Sequence, residues 1–121
     1  MTETQNTKRF DLEERTMKFT KRVIGFINGV LKNITNNEIS KQLIRSSGSV
    51  GANYIEANEA LSRKDFLMRV KISRKEAKES RYWLELIECD SGQEEERKSL
   101  VQEATELMKI FGAIIVKSNK T

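Results

Sequence analysis

Four stretches of this chain repeat apolar side chains at helical spacing, with short polar segments between them. In the first, a rhythm that begins at Phe10 carries Leu12, Phe19, Val23, Phe26, Ile27, Val30, Leu31 and Ile34 at steps of three, four and seven. Such steps build one apolar stripe on a helix. Thr35-Asn36-Asn37 reads as the first turn, because Asn and Thr compete locally for backbone groups. A second helix is predicted from about Glu38 to Ala60, with Ile39, Leu43, Ile44, Val50, Tyr54, Ile55 and, just beyond, Leu61 as apolar positions. Ser62 reads as the N-cap of a third helix that reaches about Glu88, with Asp65 in the capping-box place. Phe66, Val70, Ala77, Leu84 and Ile87 form its core face, flanked by Ile72 and Trp83. Asp90-Ser91-Gly92 is the last turn. Glu94, Glu95 and Glu96 then open a fourth helix at the end where the dipole favours negative charge. Leu100, Ala104, Leu107, Met108, Phe111, Ile114 and Ile115 are its stripe, and Lys117 and Lys120 close it. The pattern predicts an all-α fold, an antiparallel up-down-up-down four-helix bundle over residues 10–117. Residues 1–9 are expected to be a disordered tail and residues 118–121 a C-terminal tail.

The second helix is unusual inside. Ser46 to Asn53 reads SSGSVGAN, which in isolation looks like a loop. The apolar rhythm continues through it, because Leu43, Ser47, Val50, Tyr54 and Ala57 share one face. The segment is therefore expected to be helical, its small side chains allowing a neighbour to approach closely. In the first helix Gly25 and Gly29 lie four apart. Each lowers helix propensity by about 1 kcal/mol. They are either tolerated or offset by close helix approach, and the second reading is the one expected here.

Composition supports long helices. Proline is absent, and a third of the residues are charged. A length of 121 residues suits one domain. The formal charge of +4 and the sequence pI of about 9.3 permit a polyanionic partner without requiring one. Cys89 is the only cysteine, which excludes an intramolecular disulfide and fits a reducing compartment. No apolar run reaches the roughly 20 residues of a membrane span, and MTETQNTKRF lacks the apolar core of a signal peptide. The expected location is the cytoplasm, with no membrane partner.

Catalytic chemistry finds no foothold. There is no histidine, the commonest general base and metal ligand. One cysteine makes no zinc site, and neither a GxGxxG nor a GxxxxGK[ST] phosphate loop occurs. Glu56, Glu76 and Glu79 resemble a carboxylate cluster, but di-iron bundles pair such residues with His. No catalytic residue, metal or cofactor is expected, and Cys89 reads as structural.

Two surfaces remain. Lys64, Lys71, Arg74, Lys75 and Lys78 fall in one sector of the third helix, with Arg81 at its margin and Arg63 off it. This is either an ordinary solvated face, as the continuation into Glu85 suggests, or a phosphate-binding stripe, which needs charge density but no specific chemistry. Base recognition is not indicated. Arg45, Asn53, Glu56, Glu76 and Glu79 form a second constellation near the apolar faces of helices two and three. They are either partly exposed at the face boundary or a hydrogen-bonded network between helices or subunits.

The runs QLIRSSGSVGANYIEA, SRKDF and KEAKESRYWLELI resemble the four-helix-bundle family first met as proteins encoded in intervening sequences of bacterial 23S ribosomal RNA genes. The motif residues include Gln42, Arg45, Ser46, Gly51, Ala52, Asn53, Glu56, Ala57, Asp65, Phe66, Glu76, Ala77, Glu79, Tyr82, Trp83 and Leu84. Asn58-Glu59-Ala60-Leu61 replaces the Gly-rich turn of many members. The resemblance implies a left-handed bundle and a homopentamer with a central opening, in which Arg45, Gly51, Asn53, Glu56, Glu76, Glu79, Tyr82 and Trp83 are structural or interface residues. A more remote similarity is to the accessory protein of diversity-generating retroelements, a basic pentamer that engages a reverse transcriptase and nucleic acid. The family carries no established enzymatic activity. The resulting expectation is a non-enzymatic oligomeric scaffold that binds RNA or another polyanion weakly and without sequence specificity. The alternative is an adaptor that docks an unidentified protein. Oligomerisation is expected on the small-residue surface of helix two.

Overall fold

The computed structural model describes residues 3–119, with side chains from Asp11 onward. Four helices follow in order: α1 (Glu3–Gly29), α2 (Ile34–Asn58), α3 (Arg63–Leu86) and α4 (Glu94–Asn119), with a short 3-10 helix at Ser91–Gln93. α2 packs against α1 and α3, and α4 against α3 and α1, which leaves α1 and α3 on the diagonal of a four-helix bundle. α1 begins inside the stretch read as an N-terminal tail, and α4 runs two residues into the stretch read as a C-terminal one. Residues 1, 2, 120 and 121 lie outside the described residues. Among the described residues, no helix is long and apolar enough to cross a membrane.

The core follows the predicted stripes. Leu12, Phe19, Val23, Phe26, Ile27 and Val30 are buried with Leu43, Val50, Tyr54 and Ala57, with Val70, Ala77, Leu84 and Ile87, and with Leu100, Ala104, Leu107, Phe111 and Ile115. The ends of the stripes differ from expectation. Leu31, Ile34 and Leu61 are exposed, because each lies at or beyond a helix end where no neighbour covers it.

The first turn lies earlier than the expected Thr35-Asn36-Asn37. Asn33 is the N-cap of α2, and its side chain accepts from the Asn36 backbone N–H at 2.7 Å. Asn36 therefore sits in the first helical turn, where its side chain is free for another task. It is 1% exposed. Its Nδ2 donates to the Leu31 carbonyl at 2.9 Å and the Glu88 carbonyl at 2.8 Å, while its Oδ1 accepts from the Glu88 N–H at 3.0 Å. One buried amide thus ties the α1–α2 turn to the chain leaving α3. The α2–α3 turn closes without glycine: Glu59 and Ala60 donate to the carbonyls of Glu56 and Ala57, and no described residue has a positive φ. Ser62 caps α3 through the Asp65 N–H at 3.1 Å. Asp90 and Gln93 form a capping box around the 3-10 helix.

α2 passes unbroken through Ser46 to Asn53. Ser46, Ser47 and Gly51 are consumed inside the chain, while Gly48 and Ala52 stay at its surface. A Cβ on Gly51 would stand 2.9 Å from Thr16 Oγ1 and 3.2 Å from Thr16 Cβ, so α1 crosses α2 at this glycine. Thr20 of α1 donates to the Ser47 carbonyl at 2.9 Å. On the α3 side Ser46 Oγ and Ser80 Oγ are 2.9 Å apart, and Ser73 donates to the Val50 carbonyl at 2.9 Å. All three serines are buried. Short hydroxyls satisfy themselves across the seam and let the two backbones approach. The Gly25–Gly29 pair does not mark a comparable crossing. Gly25 faces open space, and Gly29 meets only the tip of the Gln93 side chain.

The α1–α4 seam is ionic. Arg15 makes a bidentate pair with Glu103 at 2.7 and 2.9 Å, and one heptad on Arg22 pairs with Glu96 one heptad back. Two antiparallel helices in 3.5-residue register bring both pairs together.

Candidate nucleic-acid interface

α3 carries its cations on the side away from the core. Lys64, Lys71, Arg74, Lys75 and Lys78 are all exposed, and among the described residues none of them pairs with a carboxylate. Lys64, Lys71, Lys75 and Lys78 face outward. Adjacent residues differ by 100° on a helix, so Arg74 stands on the α4 flank, where its guanidinium reaches the position a Gly112 Cβ would touch. The carboxylates beside the row are engaged elsewhere. Glu79 pairs with Arg45, and Glu85 lies 3.9 Å from Arg81. Arg81 also donates to Thr105, and Arg63 to the Ser118 carbonyl, so these two guanidiniums hold α4.

The second constellation spans the α2–α3 groove. Arg45 donates to both oxygens of Glu76 at 3.4 Å and to Glu79. Glu79 also accepts from Trp83 Nε1 at 3.1 Å. About two turns further along α2, Asn53 accepts from Arg69 at 3.0 Å and donates to Ser49. Glu76 is buried, and its charge is matched by Arg45. Four of the five residues therefore form hydrogen-bonded links between helices. Glu56 does not join them: it points to solvent beside the groove. Arg69 belongs to this set and was missed, its only sequence signal being a cation on the α2 side of α3. Gly51 takes no part, since it serves the α1 crossing.

Tyr82 and Trp83 stand at the C-terminal end of α3. Their rings meet at 5.0 Å and 71°. Trp83 is half-buried and packs on the core, while Tyr82 is 57% exposed.

A third surface lies on the α1–α2 side of the bundle. Met17 and Ile24, seven apart on α1, and Leu31 in the turn after it are exposed, as are Ile44 and Ile55 of α2. Between the helices runs an open groove of about 400 Å³, lined by Thr16, Met17, Thr20, Gly48, Gly51, Ala52 and Ile55 among others.

Cys89 is partly buried and donates to Glu94 at 3.5 Å. Burial first, then this carboxylate, push its thiol pKa up, the opposite of an activated nucleophile. Arg97 holds the Glu94 carboxyl below its usual range. Among the described residues, no group of three or more acidic or thiol side chains is placed to hold a metal ion.

The model of the 23S rRNA-intervening sequence proteins matches residues 8–113. A crystal structure of a protein of unknown function from the S23 ribosomal protein family of Bacteroides thetaiotaomicron VPI-5482 is 32% identical, covering 85% of this chain and 96% of that one, with a TM-score of 0.72. No curated protein matches. Neither match names an enzymatic activity.

Proposed function

The chain belongs to the 23S rRNA-intervening sequence protein family, and from that premise we propose that it is a non-enzymatic helical scaffold that assembles with copies of itself and holds RNA weakly along α3. The carrying observation is that all five predicted cations of α3 are exposed and unpaired, while the neighbouring Arg63, Arg81 and Arg45 are committed to the fold. Unpaired cations on a rigid helix attract phosphates through counterion release and read no sequence. The buried small residues of α2, Ser46, Ser47 and Gly51, do not support assembly, while Gly48 and Ala52 reach the surface and line the α1–α2 groove. The exposed apolar row of α1 and α2 supports it instead: a second copy seated there covers Met17, Ile24, Ile44 and Ile55. That face lies on the α1–α2 side of the bundle, so a copy seated there does not cover the outward cations on α3 of the subunit it sits on. A ring, five-membered by the family resemblance, repeats the stripe and turns weak single sites into a multivalent belt.

Filter binding of long RNA tests the reading. The combined K71Q/R74Q/K75Q/K78Q variant is expected to keep its fold, bind more weakly, and lower the salt slope by about 3 for its four lost contacts. Equal retention of RNA by both proteins at low and moderate salt would remove the stripe. No retention at any salt would favour an adaptor that docks a protein. Light scattering is expected to return a multiple of the 14.0 kDa chain mass. A monomer at micromolar concentration would sink the assembly half.

A further inference from the structure

We infer that the nucleic acid held by this face is single-stranded, and that Tyr82 is the stacking platform for a base at the C-terminal end of the cationic row. The inference rests on the RNA reading of α3 and names the strand form that α3 selects. Lys64 and Tyr82 are 18 residues apart, five turns of helix, so they stand on one line separated by about 27 Å. Lys71, Lys75 and Lys78 lie between them on the same outward side. The row is therefore a track of phosphate contacts that ends in an exposed aromatic ring.

The ring is held without being covered. Trp83 meets it at 5.0 Å, Trp83 Nε1 is fixed by Glu79 at 3.1 Å, and Glu79 is fixed by Arg45 of α2. A tyrosine that served only the core would turn inward, as Tyr54 does against Phe111. Tyr82 instead keeps 57% of its surface in solvent. A side chain ordered in this way loses little freedom when a base stacks on it.

Charge and stacking select opposite strand forms. Counterion release per contact is larger for a duplex than for a single strand, so the lysines alone favour duplex. An aromatic platform adds about tenfold in affinity for a base whose face is open, and a paired base has no open face. A preference for single strands is thus a signature that the cations cannot produce.

The experiment compares poly(U), which has no paired structure, with poly(A)·poly(U) duplex by filter binding at one salt concentration. The proteins are wild type, Y82A, Y82F and the four-fold glutamine variant. Wild type is expected to bind poly(U) more tightly than the duplex. Y82A should lose about tenfold on poly(U) and under twofold on the duplex, while Y82F, which keeps the ring, should match wild type. Trp83 is the only tryptophan, and its fluorescence should respond to poly(U) in wild type and much less in Y82A. If Y82A binds poly(U) as wild type does while the four-fold variant loses both ligands, the inference falls and the RNA reading stands. A wild-type preference for duplex has the same consequence. If the four-fold variant binds both ligands normally, the RNA reading falls and takes the inference with it.

Discussion

Replacing Asn36 by Asp is expected to destabilise the protein by about 4 kcal/mol at neutral pH, nearly half the stability of an ordinary domain. The change is isosteric, so the effect is electrostatic. Nδ2 donates to two carbonyl oxygens, of Leu31 and Glu88, and a carboxylate oxygen in its place would face both as a third acceptor. The two carbonyls lose their donor, and a charge is left where the side chain is 1% exposed. The acceptor half survives, since the other oxygen still receives the Glu88 N–H. The melting temperature should fall by about 15 °C. The sign of the pH dependence follows. Burial against two carbonyls raises the pKa of the new carboxyl above its unfolded value of about 3.9. The folded variant then binds more protons than the unfolded chain, so its stability falls as pH rises through that interval. The gap between variant and wild type should therefore narrow as pH is lowered toward 4. Thermal melts at pH 7 and pH 5 check both statements. A variant within 1 kcal/mol of wild type at pH 7, or a gap that widens in acid, would show that the amide is not the tie the geometry describes.

Asn36 also marks where sequence reasoning stopped. The helices were legible because long apolar stripes need no knowledge of their partners: Leu43, Ser47, Val50, Tyr54 and Ala57 sharing a face was enough to carry α2 through SSGSVGAN. The turn lies four residues earlier than its sequence reading because Asn33, Asn36 and Asn37 all have cap chemistry, and only the chain arriving from Glu88 decides which one caps. Polar partners separated by 52 positions leave no local trace. The same holds for Arg15 with Glu103, 88 positions apart, and for Arg69, whose partner Asn53 lies on a different helix. On α3 the exposed sector was legible from helical period alone. Which cations were free was not, since Arg63, Arg74 and Arg81 differ only in what α4 offers them. The small residues of α2 mark a close contact, and Ser46, Ser47 and Gly51 make it within the chain, to α1 and α3. A pattern of Ser and Gly states that something approaches and does not say whether it belongs to the same chain.

That ambiguity gives the second large effect. Gly25 and Gly51 look alike in the sequence, each in a helix with a small or apolar neighbour, yet leucine at the two positions is expected to act in opposite directions. At Gly25 nothing lies within 4 Å of the added Cβ, so G25L gains helix propensity and should stabilise by up to about 1 kcal/mol. At Gly51 the first added carbon already meets Thr16 at 2.9 and 3.2 Å, and the rest of a leucine has to displace α1. Thr16 cannot turn aside cheaply, because it is 1% exposed and its hydroxyl is engaged with the Glu13 carbonyl at 2.9 Å. Overpacking of this kind outweighs the propensity gain, and G51L should lose about 3 kcal/mol. Alanine at position 51 separates the terms. It gains propensity and is crowded only by the Thr16 side chain, the Thr16 backbone carbon lying at an ordinary 3.8 Å, so its cost should shrink by about 1 kcal/mol when Thr16→Ala removes the nearer atom, a coupling that a double-mutant cycle reads directly. Urea melts of the single and double variants supply the numbers. G51L as stable as wild type, or a cycle with no coupling to Thr16, would mean that α1 does not cross α2 at this glycine.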